Sequence, residues 1–270
     1  MDGEIEAEEI IELIRPIYER GAKSMADHVR SYMHAAFSWG MKSDNDYRQQ
    51  SARRFRIPFN PAAGIPTEPK VQGTRWLDED EFVQLYRWLE YPDTPVHPPY
   101  TRAVRIIMLT GQRVEEIASL HIDQWDAEEK IIDWSKTKND QPHAVPVPAL
   151  AAELLSSINV NEYGWFFPSA KDPSKPVSHG TLYSFMWRQR DRGVIPYVTN
   201  RDLRRTFKTL AGKAGVPKEI RDRLQNHALQ DVSSKHYDRW NYMAEKRAGM
   251  ARWDKFVRAM LAKKRLKAVA

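Results

Sequence analysis

The sequence predicts a mainly α-helical chain with one small antiparallel β-hairpin, arranged in two parts that an irregular connector joins. Three observations predict this class. Apolar residues recur at helical spacing in most segments, as in the run from Leu77 to Leu89. β-branched and aromatic residues flank a polar turn in "KIIDWSKTKNDQPHAVPVP", which is typical of a hairpin. Prolines and glycines interrupt every regular pattern between residues 42 and 74.

Two helices are predicted ahead of the connector. The isoleucines between residues 10 and 17 share one helical face, and that helix stops at Gly21. Ser24 and Asp27 predict the N-terminal cap of a second helix, with an apolar stripe over residues 29–37. Because two helices alone bury too little surface for an independent core, we expect this part to belong to a larger helical domain.

The composition excludes several classes of protein. The absence of cysteine excludes disulfides, thiolate metal ligands and a thiol nucleophile. No stretch approaches eighteen apolar residues and no charged-then-apolar leader opens the chain, so neither a transmembrane nor a secreted protein is expected. The net charge of +6 is uneven, since residues 1–22 carry seven acids and two bases, whereas residues 201–223 carry eight bases and three acids. This basic segment favours a polyanionic partner, with a solvated basic face as the alternative.

Two segments contain arginines whose presence can be explained by structure alone, without a function. In "TGQRVEEIASL", Arg113 opens a helix, and taken alone this segment favours a surface arginine paired with Glu116 one turn later. In "RDLRRTFKTLAGKAG", an apolar stripe that includes Leu203 and Phe207 lies opposite a basic stripe that includes Arg201 and Arg204. Guanidinium groups match phosphate oxygens two at a time, so such a helix suits a phosphate-bearing partner.

A third segment, "LQNHALQDVSSKHYDRW", places two imidazoles and a phenol within eleven positions. His227, Asp231 and His236 form one alternative, a metal site, although the three do not share a helical face. A half-buried structural tyrosine at Tyr237 is a second alternative, and a reactive centre is the third. The segment by itself does not rank them.

Taken in order, these segments resemble the catalytic domain of the tyrosine recombinases, the phage-integrase family, and more narrowly the integrases of prophages and genomic islands. "TGQRVEEIASL" resembles the first-arginine box, "TKNDQPHAVPVP" the strand turn that carries the family lysine, "LRRTFKTLA" the second-arginine box and "LQNHALQDVSSKHYDRW" the histidine-to-tyrosine box. The resemblance runs from about residue 75 to about residue 255. It implies a partial core-binding domain over residues 1–66, which is expected to be shortened at its N-terminus, a linker to about residue 74, and a catalytic domain over residues 75–270.

The resemblance implies five catalytic residues. Arg113 and Arg204 match the two family arginines, and His227 follows Arg204 by 23 positions, the usual family separation. Tyr237, which matches the nucleophile, follows His227 by ten positions, one more than the commonest spacing. The fifth residue is the family lysine, which is assigned below.

Two lysines compete for the remaining catalytic position. The family lysine usually stands eight positions before the proline that ends the second hairpin strand, which is Pro146 here and selects Lys138. Lys136 is the alternative. Glu116, Arg201 and Arg205 are expected to support the site or contact DNA phosphates. Arg201 departs from the family, which usually has histidine there, and a guanidinium donates protons but does not accept them.

The implied activity is site-specific DNA recombination through a 3′-phosphotyrosine, with neither a metal nor ATP and no other cofactor. The expected partners are double-stranded DNA, three further copies of the chain in a tetramer on DNA, an excisionase and host DNA-bending proteins, with a monomer in the absence of DNA. The expected location is the bacterial cytoplasm at the nucleoid. Relaxation of supercoils in the manner of a type IB topoisomerase, and a catalytically idle DNA-binding protein of the same fold, are the alternatives.

Overall fold

The computed structural model describes residues 5–48, 54–69, 73–91, 97–135, 142–227 and 240–267. The chain divides into two compact units, residues 1–72 and 73–270. The predicted fold class is confirmed, because the described residues are mainly helical and include one three-stranded antiparallel sheet. The assignment of the two predicted domains, 1–66 and 75–270, stays a prediction. Within the described residues, no helix is both long and apolar enough to cross a membrane.

The first unit contains helices α1 (Ala7–Glu19) and α2 (Lys23–Ser43). The predicted cap at Ser24 and Asp27 is wrong, because α2 already begins at Lys23 and its N-cap residue supplies no side-chain hydrogen bond. The predicted apolar stripe is also wrong in part, since Tyr32 is 71% exposed.

The second unit begins with α3 (Glu79–Glu90) and α4 (Pro98–Thr110). A capping box opens α3: Asp78 Oδ1 accepts the Glu81 N–H at 2.8 Å, and Glu81 Oε2 accepts the Asp78 N–H at 3.1 Å. α4 ends at Gly111, whose φ of +66° favours glycine, and a Cβ added there would lie 2.3 Å from the Phe207 ring. The tight turn leads directly into α5 (Val114–Ala118).

The sheet contains β1 (Trp125–Asp126), β2 (Ile131–Trp134) and β3 (His143–Pro146) in that order, with both pairs antiparallel. The predicted hairpin is β2–β3, while β1 was not predicted because two residues are too short to show an alternating pattern. Ile132 lies opposite Val145 and both are fully buried. The face of the hairpin that these residues share is therefore part of the core.

The remaining described helices are α6 (Ala149–Ser156), α7 (His179–Asp191), α8 (Asn200–Lys213), α9 (Lys218–Leu224) and α10 (Met243–Lys267). Trp253 of α10 is fully buried and meets Phe82 of α3 and Phe207 of α8 edge to face, with ring centroids 5.9 and 5.3 Å apart. Its Nε1–H donates to the Leu109 carbonyl at 2.8 Å. One aromatic side chain thus joins four helices, so α8 and the end of α4 are held in fixed register.

Candidate active site

Arg113 is the N-cap of α5 and is held by its own helix. Its Nη1 donates to Glu116 Oε1 at 2.9 Å, and its backbone N–H donates to Glu116 Oε2 at 3.1 Å. The Glu116 side chain is 8% exposed and that of Arg113 is 18% exposed, so this is not a solvated surface pair. The opposite edge of the guanidinium donates from Nη2 to the Asn226 carbonyl at 3.1 Å. Glu116 therefore orients Arg113 toward the end of α9.

Arg204 reaches the same place from α8, whose Leu203, Phe207 and Leu210 are buried as the predicted stripe requires. Its Nη1 donates to the Gly111 carbonyl at 2.8 Å, and its Nη2 donates to the Gln225 carbonyl. Burial and the charge of Arg113 lower the pKa of Arg204 to about 10. The group stays a cation at neutral pH, and its partial burial strengthens its interaction with any anion that binds there.

The turn after α9 connects the two arginines. The backbone carbonyl of Gln225 accepts a hydrogen bond from Arg204, and that of the next residue, Asn226, accepts one from Arg113. The Gln225 side chain is buried, and its Nε2 donates to the Arg204 carbonyl at 2.8 Å and the Gly111 carbonyl at 3.2 Å. Asn226 has a φ of +49°, a conformation that asparagine tolerates better than most residues. The turn thus brings both cations to the residue that precedes His227.

His227 contacts two charged side chains through one ring nitrogen. Its Nδ1 lies 3.2 Å from Asp222 Oδ1 and 3.2 Å from Lys208 Nζ, and Lys208 also pairs with the same Asp222 oxygen. Burial lowers the pKa of His227, and the charges of Arg204 and Lys208 lower it further, while Asp222 opposes them. Within the described residues only Nδ1 of the ring has a hydrogen-bond partner, which leaves Nε2 for a ligand.

The buried side chain of Gln112, the residue before Arg113, joins the ends of α4 and α9 to the sheet. Gln112 Nε2 donates to the Leu224 carbonyl at 2.8 Å and to the Thr110 carbonyl at 3.0 Å. Its Oε1 lies 3.0 Å from Nε2 of His143 on β3, so that His143 nitrogen carries the proton. Burial lowers the pKa of His143 from 6.5 to about 3, and the charges of Lys246, Arg204 and Arg113 contribute to the shift. His143 is therefore neutral at every physiological pH.

Arg201 and Arg205 lie at the N-terminal end of α8, beside a cleft of about 720 Å³ that both residues line. Arg205 pairs with Asp202, whereas Arg201 is exposed and has no hydrogen-bond or ion-pair partner in the described part of the chain. Of the predicted supporting residues, Glu116 contacts the predicted catalytic residue Arg113. The guanidinium of Arg201 lies at the surface and, within the described residues, forms no hydrogen bond or ion pair.

Several predicted residues lie outside the described part of the chain. These are Lys136, Lys138 and Tyr237, together with Asp231 and His236 of the alternative metal site. Among the residues that the structure does describe, no three histidine, aspartate or glutamate side chains are grouped so that they could hold a metal ion. The structure therefore brings together Arg113, Arg204 and His227, and leaves the assignments of the lysine and the tyrosine as predictions.

Cationic hydrogen-bond donors predominate in the described part of the site. Two guanidinium groups and one imidazole meet at a single turn, and two of the carboxylates nearby are each engaged by a cation, Glu116 by Arg113 and Asp222 by Lys208. Such an arrangement stabilises an anion with several oxygens, because charge-assisted donors fixed in advance need no reorganisation when negative charge develops. Phosphate ester chemistry fits these properties.

The comparison with known families decides the classification. The model of the phage integrase family matches residues 75–242, which is more than half of the chain and includes all four sequence boxes. The chain belongs to the phage integrase family. Two prophage integrases of Escherichia coli K12 are similar to it: IntF is 28% identical over 166 residues, which cover 58% of this chain and 34% of IntF, and IntA is 22% identical over 261 residues, which cover 95% and 60%. The chain thus spans about one third to three fifths of the length of these relatives.

Solved structures of phage integrase family members share the fold. A lambda integrase dimer bound to a core site aligns with a TM-score of 0.62 at 19% identity, over 88% of this chain and 84% of that one. The XerH site-specific recombinase bound to its difH substrate before cleavage aligns with a TM-score of 0.58 at 19% identity, over 87% and 68%. These likenesses show that the chain has the tyrosine-recombinase fold.

Four residues of the site were not singled out by sequence reasoning. Gln112 and Gln225 were given no role, and Lys208 and Asp222 were counted only as charged residues of the segment 201–223. Apart from Thr110 beside Gln112 and His227 beside Asp222, their partners are 14 to 114 positions away in the sequence, so local spacing carries little signal for them. A weak signal exists at Gln112 alone, which stands directly beside the first arginine.

Proposed function

We propose that this protein is a site-specific DNA recombinase of the integrase type, which cleaves and rejoins DNA strands through a 3′-phosphotyrosine at Tyr237. The observation that carries the proposal is the anchoring of Arg113 and Arg204 on consecutive carbonyls directly ahead of His227. Three donors from separate segments of the chain surround one position. A phosphodiester placed there receives hydrogen bonds on both of its non-bridging oxygens.

In the proposed cleavage step the phenol oxygen of Tyr237 loses its proton to water and attacks the phosphorus atom. The bond from phosphorus to the 5′-oxygen breaks, and Lys138 donates a proton to that oxygen. A tyrosine with its ordinary pKa of about 10 is a weak nucleophile, and nearby fixed cations favour the phenolate. Arg113, Arg204 and His227 stabilise the charge that develops on the non-bridging oxygens, where the loss of one such donor typically costs about 3–4 kcal/mol.

Rejoining is the reverse of this step with a different strand. The 5′-hydroxyl of a second DNA strand attacks the 3′-phosphotyrosine, the phosphotyrosine bond breaks, and Tyr237 recovers its proton. The energy of the phosphodiester bond is kept in the protein–DNA ester, so the exchange needs no ATP. The protein cations fill the role that a metal ion has in other phosphoryl transfers.

Duplex DNA is the proposed substrate, and a homotetramer on two duplexes is the proposed active assembly, with a monomer in the absence of DNA. Lambda integrase, which shares the fold, forms a tetramer on a Holliday junction, and this supports the proposal. We infer that residues 1–66 belong to a core-binding domain and residues 75–270 form the catalytic domain. An excisionase and host DNA-bending proteins are the proposed accessory partners, and the proposed location is the cytoplasm at the nucleoid.

The test compares two substrates for the same protein. One is a pair of duplexes that carry the junction sequences flanking the gene, and the other is a supercoiled plasmid of unrelated sequence. A recombinase exchanges strands between the two duplexes and leaves the plasmid supercoiled. Relaxation of the plasmid without strand exchange supports a topoisomerase, and binding without either reaction supports an idle DNA-binding protein; each of these outcomes contradicts the proposal.

A further inference from the structure

The Nδ1 atom of His227 lies between an acceptor and a donor. Asp222 Oδ1 and Lys208 Nζ are each 3.2 Å from it, and these two side chains also form an ion pair with each other. Asp222 and His227 lie on α9 and the turn that follows it, whereas Lys208 reaches in from α8. A ring nitrogen that faces both a carboxylate and an ammonium group has a hydrogen-bond partner whether or not it carries a proton.

We propose that Lys208 and Asp222 are positioning residues that keep a proton on Nε2 of His227 in both charge states of the ring. The inference rests on the proposed function, in which Nε2–H of His227 donates to an oxygen of the phosphate under attack. It adds to that function a control of the histidine tautomer by two residues that do not touch the substrate.

The two charge states use different partners. In the neutral ring, Lys208 donates to the unprotonated Nδ1, and the single ring proton stands on Nε2. In the imidazolium, Nδ1–H donates to Asp222, and Nε2 again carries a proton. If Asp222 were the only partner, the neutral ring would hold its proton on Nδ1. A lone pair on Nε2 would then face the phosphate oxygen and repel it.

The neutral ring is the state in which this control matters. The charged groups that act most strongly on the ring are Arg204 and Lys208 of α8 and Asp222 of α9, and burial together with the two cations lowers the His227 pKa. Burial raises the pKa of Asp222, but Lys208 and His227 outweigh that effect and lower it. Near neutral pH the ring is therefore mostly uncharged while Asp222 is ionised, and Lys208 is needed to hold the proton on Nε2.

A direct test reads the tautomer without any DNA. The protein is labelled with ¹⁵N-histidine, the His227 signals are assigned by their loss in His227→Gln, and the two ring nitrogens are observed near pH 7.5. The expected result is a proton on Nε2 in the wild type and a shift of the proton to Nδ1 in Lys208→Met. A proton on Nδ1 in the wild type, or an unchanged tautomer in Lys208→Met, overturns the proposal. This arm does not depend on whether the protein cleaves DNA.

A second test measures the rate of cleavage of a nicked duplex between pH 5.5 and 8.5. The wild-type rate is expected not to fall as the His227 ring changes from charged to neutral. The Lys208→Met rate is expected to approach the wild-type rate at low pH and to fall about tenfold or more, toward the rate of His227→Ala, as the ring becomes neutral. A Lys208→Met profile that runs parallel to the wild type overturns the proposal, because a structural defect lowers the rate equally at every pH.

Lys213→Met is the matched control. Lys213 also lies on α8 and forms an ion pair, with Glu79 at 3.3 Å, but it makes no contact with His227. Its substitution is expected to leave both the tautomer and the pH profile unchanged. If Lys213→Met reproduces the effect of Lys208→Met, the effect is structural and the proposal fails. Absence of cleavage by the wild type contradicts the proposed function instead, and the tautomer measurement remains decisive for the inference.

Discussion

Arg204 and Gln225 form a reciprocal pair. The guanidinium of Arg204 donates to the Gln225 carbonyl, and the Gln225 side-chain amide donates to the Arg204 carbonyl at 2.8 Å. The same amide donates to the Gly111 carbonyl at 3.2 Å, so the end of α4, the middle of α8 and the turn after α9 are joined at one buried residue. The position of the second arginine therefore depends on a side chain that has no chemistry of its own.

The first prediction follows from this pair. Gln225→Met keeps the volume of the side chain but removes two hydrogen bonds to backbone carbonyls, which together contribute about 1–3 kcal/mol. We expect the free energy of unfolding in urea to fall by that amount and the cleavage rate to fall by about 10²-fold, because Arg204 loses its fixed position. Gln189→Met is the control, since Gln189 is similarly buried on α7. A loss of stability with a normal cleavage rate in Gln225→Met contradicts the positioning role.

The second prediction concerns the dependence of stability on pH. The folded-state pKa of His143 is about 3 against an ordinary value of 6.5, so between these values the unfolded chain binds a proton that the folded chain does not. The contribution is fully present above pH 6.5 and is lost as the pH falls toward 3. At pH 5 the loss is about 2 kcal/mol, since each pH unit is worth about 1.4 kcal/mol.

Denaturant unfolding at pH 7.5 and at pH 5 checks this expectation. The difference between the two free energies of unfolding is expected to be about 2 kcal/mol smaller in His143→Gln than in the wild type, because the other titrating groups are common to both proteins. Equal differences in the two proteins would show that His143 titrates normally in the folded state, which contradicts its burial against Gln112.

The third prediction separates Lys138 from Lys136. A general acid that protonates the departing 5′-oxygen contributes about 10²–10⁴-fold to the rate. We expect Lys138→Ala to lose this factor and to recover it on DNA whose 5′-bridging oxygen at the cleavage site is replaced by sulfur. A thiol, with a pKa of about 8.5, leaves as a thiolate and needs no proton. Recovery in Lys136→Ala instead would reverse the assignment, and recovery in neither would remove both lysines from this role.

The fourth prediction concerns Arg201, the exposed guanidinium at the start of α8. If it contacts a DNA phosphate, Arg201→Ala weakens binding by a similar factor on all sequences. The slope of the logarithm of the binding constant against the logarithm of the salt concentration then becomes about one unit less steep. Arg204→Ala is the comparison, because it is expected to reduce the cleavage rate at saturating DNA much more than Arg201→Ala does. An unchanged salt slope in Arg201→Ala would exclude the contact.

The parts of the fold that follow local rules were predictable from the sequence. The capping box at Asp78, the glycine turn at Gly111 and the amphipathic α8 each depend on residues within one or two turns of one another. The cap at Ser24 failed because a polar pair at the right spacing does not fix where a helix begins. β1 was missed because its two residues pair with β2 only after the chain has folded back.

In the candidate site, too, local sequence patterns were predictive and tertiary contacts were not. Arg113, Arg204 and His227 were identified because their order and spacing resemble a known family. Among their supports only Glu116 was identified, because it lies one turn from Arg113, whereas Gln112 contacts His143 and Leu224, and Lys208 contacts Asp222, only through tertiary structure. The sequence indicated which groups are charged, whereas the hydrogen bonds that orient them appear only in the folded chain.

The proposed function depends on two properties of the site. Tyr237 attacks a DNA phosphate, and protein cations activate this phosphate without a metal ion. The most direct measurement incubates the protein with a nicked duplex that traps the cleaved intermediate, in the presence of a metal chelator, and separates the products under denaturing conditions. A covalent protein–DNA band is expected with the wild type, and no such band is expected with Tyr237→Phe. A band that persists in Tyr237→Phe, or one that forms only when divalent metal is restored, would contradict this expectation.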